Sequence, residues 1–369
     1  MSEDLSFKIA LSLIPGIGSV TAKSLIAYTG SAEKVFKEKE KALRQIPGVG
    51  SILANNITHI KVLDRAHEEV EFLNKNGVRA LFYLDPDYPQ RLLGCTDAPI
   101  ILYVKGTPLL NCPKAVSIVG TRHATDYGRK MVDQFTGTLA ERGYKILIIS
   151  GLAYGIDIQS HKSALKTGLP TVAVLGHGLE TVYPSLHTNV AREMVENNGG
   201  LVSDFLSHSP IERTNFLRRN RIIAGMSDAT IVVQSAKKGG ALVTAEIANS
   251  YNRDVFAFPG RVGDIYAEGC HFLIKSNRAA LIESVTDLEY VMNWSPTKSQ
   301  SDATQPCLFY DFNPEEKMIV DLLRAEGETA IDLICIKTSL SMNKVSPTLL
   351  NLEFAGIVKG LPGKVFKVL

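Results

Sequence analysis

Three patterns of hydrophobic and polar residues follow one another along the chain. Over residues 1–80 apolar positions keep helical spacing and are broken by two related turns, LSLIPGIGSVTAKSLI (11–26) and LRQIPGVGSILANNIT (43–58). A helix from roughly residue 62 to 76, ending at Gly77, closes this part. From residue 78 to about 292 short apolar runs take over: ILYVKG (101–106), AVSIVG (115–120), YKILIIS (144–150), TVAVLG (171–176), ATIVVQS (229–235) and DVFAFPG (254–260). They alternate with amphipathic stretches such as GRKMVDQFTGTLAERG (128–143) and GIDIQSHKSALKTG (155–168). Strands joined by crossover helices predict a parallel sheet covered on both faces, a Rossmann-like α/β domain. Residues 295–310 are polar and without period and read as a linker. Helical spacing then returns in PEEKMIVDLLRAEG, TAIDLICIKTSL and SMNKVSPTLL, followed by a glycine-centred hairpin over 358–360 and 363–368, the order of a winged helix-turn-helix. The expected organisation is a helical domain (1–80), an α/β domain (81–295), a linker (296–308) and a winged-helix domain (309–369).

The two N-terminal turns have one design. Pro15 and Pro47 stop a helix, Gly16, Gly18, Gly48 and Gly50 allow a tight turn, and Ser19 or Ser51 stands at the start of the next helix. The pattern looks like a helix-hairpin-helix, whose backbone amides can hold a phosphate without reading sequence. Few lysines flank the turns (Lys23, Lys41), so a hairpin used for packing is the competing reading.

Charge changes the picture locally rather than globally. The 40 Lys+Arg nearly balance 38 Asp+Glu, a formal net charge of +2, which excludes the uniformly basic nucleic-acid binders. Residues 210–240, however, hold six cations (Arg213, Arg218, Arg219, Arg221, Lys237, Lys238) against Glu212 and Asp228. No run of about 18 apolar residues predicts a membrane span. The start MSEDLSFKIALSLIPGIG lacks a basic region and a cleavage site, which suggests a cytoplasmic protein without a signal peptide. The five cysteines are scattered, with no CxxC pair, so neither a disulfide framework nor a zinc site is expected, and no cofactor is implied.

The candidate chemistry lies where the α/β strands end in glycine, because ligands of parallel sheets bind at the carboxyl ends of strands. The first such turn, IVGTRHATDYGR, offers Gly120, Thr121 and Arg122 before a helix near Asp126 and has no GxGxxG, so dinucleotide binding is not expected. The second, ISGLAYGIDIQSHKSAL, places Asp157 and His161 one helical turn apart, either an acid–base couple or a structural pair orienting the loop. The strongest signal is ERTNFLRRNRIIAGMSDATIVV (212–233), where Arg213, Arg218, Arg219 and Arg221 are grouped with Phe216, Asn215 and Asn220. Guanidinium groups hold phosphates while a phenyl ring stacks a base, the combination that suits single-stranded nucleic acid. For Arg219 and Arg221 a structural ion pair is an equal reading. A further phosphate cradle is expected at Lys237, Lys238, Gly239 and Gly240, before a helix starting near Leu242 that carries Thr244 and Glu246. This last stretch is similar to the Gly-Gly-x-x-Thr-x-x-Glu pattern of lysine-decarboxylase-like nucleotide hydrolases. In the winged-helix region residues 306–369 carry seven Lys+Arg and eight Asp+Glu, with Lys344 and Glu353 on the expected recognition helix, so contact with protein is favoured there over reading of DNA sequence.

In this order VSIVGTRHATDYG, ISGLAYGIDIQSHKSAL, RRNRIIAGMSDATIVVQSAKKGGALVTAEIA and RDVFAFPG resemble the bacterial DNA-processing protein A family (DprA, also called Smf), over nearly the whole length. The resemblance implies a helical N-terminal domain, an extended Rossmann domain binding single-stranded DNA and a C-terminal winged helix. It also implies a dimer without catalytic activity that protects incoming single strands during natural transformation and loads the RecA recombinase onto them. The implied DNA contacts are Gly120, Thr121 and Arg122, then Arg213 and Phe216, followed by Arg218 to Arg221, with Asn220. Lys237, Gly239 and Gly240 complete the candidate set from the residue reading. Two departures stand out: Leu217 replaces the family's usual proline after the phenylalanine, and SDFLSHSP replaces a glutamate-containing turn. The alternative is a nucleotide hydrolase of the lysine-decarboxylase-like type, acting on nucleoside monophosphates through Glu246.

Overall fold

The computed structural model describes residues 2–59, 61–296, 312–361 and 364–368. The chain divides into two compact units, Met1–Ser299 and Gln300–Leu369. Most of the linker expected at 296–308, together with Cys307 and Gly363, lies outside the described residues.

In the first unit the described residues form a nine-stranded sheet. Its strands are β1 (Val78–Phe82), β2 (Ile101–Gly106), β3 (Lys114–Val119), β4 (Ile146–Ser150), β5 (Thr171–Val174), β6 (Gly200–Ser203), β7 (Ala229–Val232), β8 (Asp254–Ala257) and β9 (Ala280–Leu281). The order across the sheet is β1-β2-β6-β5-β4-β3-β7-β8-β9. The sheet is mixed rather than wholly parallel: β1 pairs antiparallel with β2, and β2 antiparallel with β6, while all remaining neighbours are parallel. The expected strands are present, and β1, β6 and β9 are strands that were not expected from the sequence.

Alternation along the central strands separates two cores, since successive side chains leave opposite faces. Val116, Ile118, Ile146, Ile148, Ala229 and Ile231 face the helices Asp126–Glu141, Ile156–Lys166 and Val285–Met292. Ala115, Val119, Leu147, Ile149 and Val232 face Arg213–Gly225, Gly240–Ser250 and Glu268–Lys275. Cys95, Cys112 and Cys270 are buried.

The N-terminal helices cover the β2–β6–β5 end of the sheet. Ile9, Leu25, Ala54, Ala66 and Leu73 share one apolar cluster with Ile101, Tyr103, Ala173 and Leu201, so packing is continuous across residue 80. The two proline-glycine turns meet side by side, with Leu53 against Gly16 and Asn56 Nδ2 donating to the Pro15 carbonyl at 3.3 Å. Gly18 occupies the N-cap of Ser19–Thr29 and no side chain caps that end, so Ser19 is not the cap that its position suggested.

The second unit has helices Pro314–Glu326, Ile331–Thr338 and Met342–Phe354, with β10 (Thr329–Ala330), β11 (Val358–Leu361) and β12 (Val365–Val368) in the order β10-β12-β11. This is the winged-helix arrangement that the spacing implied. On its third helix, Lys344 pairs with Glu315 at 2.6 Å.

Candidate nucleic-acid interface

Sheet order places the site. From β3 the chain winds one way through β4, β5 and β6, then returns to place β7 on the other side of β3. The loops leaving β3 and β7 therefore part at their carboxyl ends and leave a crevice, the usual ligand position of such sheets. A cleft of about 390 Å³ occupies it, lined by both loops and by one face of the helix Arg213–Gly225.

The β3 loop is held in place by backbone packing. A side chain at Gly120 would meet Ile156 and the Gln234 carbonyl, and one at Gly155, where φ is +78°, would meet the backbone of Thr121 and Arg122. Thr121 N donates to Gln234 O at 2.8 Å, and Thr125 caps the following helix by accepting from Gly128 N at 3.3 Å. Arg122 and His123 are thereby left exposed on the rim. The β7 loop ends at Gly239, and the helix Gly240–Ser250 starts two residues earlier than expected, with no side-chain cap. Its first amides are free for an anion. Lys238 lines the cleft and Lys237, the lysine expected there from the sequence, does not.

The arginine-rich segment is helical, which settles where each of its side chains goes. Arg213, Phe216, Leu217 and Asn220 fall at i, i+3, i+4 and i+7 and share the face that lines the cleft. Arg219 lines its floor but is only 4% exposed. Its Nη1 donates to the Gly151 carbonyl at 2.8 Å and to that of Val174, and burial lowers its pKa to about 10 against the opposing charge of Asp157. Burial raises the pKa of Asp157, with Arg219, backbone amides and the Ser150 hydroxyl acting the other way. A side chain on Gly151 would strike the Arg219 guanidinium. Arg221 leaves the opposite side of the helix, pairing with Asp204 at 2.5 Å and donating to the Asp97 carbonyl. Arg218 lies over the Phe205 ring at 5.6 Å. Neither Arg218 nor Arg221 lines the cleft, so these two expected DNA contacts are not brought to it. Among the described residues Arg122, Arg213 and Lys238 have no ion pair.

Asp157 and His161 are not an acid–base couple. His161 Nδ1 lies 2.7 Å from Thr171 Oγ1, whose own proton goes to the Ile148 carbonyl, so Nδ1 carries the hydrogen. Burial lowers the pKa of His161 to about 3. Glu246, the acid of the hydrolase alternative, is exposed, 3.3 Å from Arg278 and outside the cleft lining.

The unusual segment before the arginine helix is fixed from two sides. Glu69, 1% exposed on the helix Leu63–Asn76, accepts from Ser207 N at 3.0 Å and from its hydroxyl at 2.5 Å, while Glu180 accepts from His208 N at 3.0 Å. His208 adopts φ +60° between them. Aromatic groups absent from the sequence reading surround the cleft. His123 stacks with Tyr266 at 6.1 Å, and Tyr183 packs against Phe216 at 5.7 Å. His123, Tyr183 and Tyr266 come from three separate loops, and no spacing pattern links them.

The model of the DNA recombination-mediator protein A family matches residues 79–293, and the DprA winged-helix model matches 297–364. Protein Smf of Synechocystis is 32% identical over 98% of both chains. Protein Smf of Escherichia coli is 36% identical over 75% of this chain and 74% of its own length. The X-ray structure of DprA from Streptococcus pneumoniae superposes with a TM-score of 0.62 at 28% identity, covering 77% of this chain and 97% of that one. The structure describing the single-stranded DNA binding mode of DprA from Helicobacter pylori superposes with a TM-score of 0.52 at 26% identity, covering 58% and 95%. By its α/β core, its winged helix and these matches, the chain belongs to the DprA/Smf family of DNA recombination mediators.

Proposed function

We propose that this protein binds single-stranded DNA in the cleft between the β3 and β7 loops and does no chemistry on it. The supporting observation is the convergence of Arg122, Arg213 and Lys238 around Phe216 and the free amides of Gly240–Ser250. Unpaired cations and helix amides suit phosphates, and a half-buried phenyl ring suits a base face. A relative whose structure concerns single-stranded DNA binding lends the reading weight. From the family resemblance we further assign to it protection of incoming strands, loading of RecA during natural transformation, action as a homodimer and a cytoplasmic location.

The test is a salt-varied titration of the full chain with single-stranded and duplex DNA, run beside a RecA filament-assembly assay on strands covered by a single-strand binder. Preference for the single strand with a steep salt dependence is expected, together with faster filament growth. Equal affinity for duplex would remove the cleft assignment. Unchanged RecA assembly would remove the loading role alone.

A further inference from the structure

Beside the cation-lined cleft lies a second recess that the function above does not use. It is lined by Arg122, Tyr154, Tyr183, Pro184 and Phe216, with Gly151 and Ala153 at its base. Arg122 and Phe216 belong to both hollows, so the two are continuous across these side chains. Tyr154 and Tyr183 are 45% and 49% exposed, large for aromatic rings held in order. Each is supported from behind: Tyr183 lies against Phe216 at 5.7 Å with a 43° tilt, and Tyr154 stands edge-on to His187 at 5.1 Å and 70°. His187 is itself fixed by a 2.8 Å contact of Nδ1 with the Leu152 carbonyl.

We infer that Tyr183 and Tyr154 form a second base platform, which takes the nucleobase adjacent to the one on Phe216. The recess holds only about 30 Å³, room for a methyl-sized group and not a ring, so the base lies across the tyrosine faces instead of entering. Arg122, reaching both hollows, stands where the phosphate joining the two nucleotides would pass. Stacking on an aromatic face needs no particular base, and it works only beside a groove that holds the backbone, as this one does. The strand then leaves the cleft over Pro184 instead of ending at Phe216, and the site spans at least two consecutive nucleotides. This rests on the single-stranded DNA reading of the cleft.

The experiment is a titration of the full-length protein, as wild type and as Tyr183→Phe, Tyr183→Leu, Tyr154→Ala and Phe216→Ala. The probes are oligothymidylate and a strand of equal length made only of abasic deoxyribose phosphates, each at several salt concentrations. Tyr183→Leu, which keeps apolar packing on Phe216 but has no π face, is expected to weaken oligothymidylate binding about five- to hundredfold. Its salt slope and its binding of the abasic strand should match wild type, and Tyr183→Phe should behave as wild type throughout. Tyr154→Ala supplies an independent reading in the same direction. The platform is overturned if Tyr183→Leu and Tyr154→Ala bind oligothymidylate within twofold of wild type while Phe216→Ala is weakened. Failure of the wild type to bind oligothymidylate would remove the proposed function, and this inference with it.

Discussion

Arg213 and Arg219 stand six residues apart on one helix and illustrate two opposite uses of a guanidinium. Arg213, in the first turn, is exposed on the rim of the cleft and without an ion pair among the described residues. Arg219 is sunk beneath the same cleft, bonded to the carbonyls ending β4 and β5 and facing Asp157. The first keeps its hydration and its charge for a partner. The second has exchanged water for fixed backbone dipoles and holds the strand ends where the glycine turns begin. A cluster of like residues in sequence is therefore not one site: the helix turns Arg213 to the cleft, ties Arg219 and Arg221 into the frame and lays Arg218 over Phe205.

This contrast can be broken from either side. Arg219→Leu should cost about 3–5 kcal/mol in urea unfolding, because it strands a buried carboxylate, and adding Asp157→Asn should recover part of that loss. A cost below about 1 kcal/mol, the ordinary value for an exposed pair, would put Arg219 with Arg213.

The buried layer also predicts an acid response. His161 has a folded pKa of about 3 against 6.5, so its contribution to stability is complete above pH 6.5 and is lost as the pH falls toward 3. Asp157, whose pKa is raised by burial, works the other way, favouring the folded state at low pH. The His161→Gln variant should show a shallower loss between those values, by up to about 1.4 kcal/mol per pH unit. An identical profile would mean that His161 is not held neutral.

On the outward side, Phe216→Ala should weaken single-strand binding by about 1–3 kcal/mol with the salt slope intact. Arg213→Gln or Arg122→Gln should each lower the log–log salt slope by about 0.7 and leave unfolding within about 0.5 kcal/mol of wild type. If these changes destabilise the protein without altering the slope, the outward arginines are structural too. The smallest effect belongs to Arg218, exposed over Phe205, where Arg218→Ala should shift affinity and stability by no more than about 0.5 kcal/mol.

Much of the cleft was legible because its requirements are local. Gly120, Gly239 and Gly240 mark tight approaches and helix starts, and Arg122, Arg213 and Phe216 were singled out by charge and aromatic character. Which of Lys237 and Lys238 lines the cleft was not legible, because the direction of a side chain at a helix start depends on the turn, not on composition. Tyr183, Tyr154, His123 and Tyr266 gave no signal, since each comes from a different loop and only the closed sheet brings them together. Of the strands that the sequence did not reveal, β9 has only two residues, while β1 and β6 are as long as β4 and β5. That β1 and β2 run antiparallel at the edge was set by pairing between distant segments.

The sequence by itself determined the alternation of strands and helices, the glycine turns at strand ends, the winged-helix order and the region of excess positive charge. Each is written in residues within a turn or two of one another, through backbone freedom, side-chain period or charge density. Tertiary structure alone decided which arginines stay exposed at the cleft and which are ties, that Glu69 of the N-terminal helices pins Ser207 ahead of Arg213, and that Tyr183 lies against Phe216. Those outcomes depend on burial, and burial is set by elements distant in the chain. The same guanidinium is free or committed according to whether a carbonyl or water is nearest when the sheet closes.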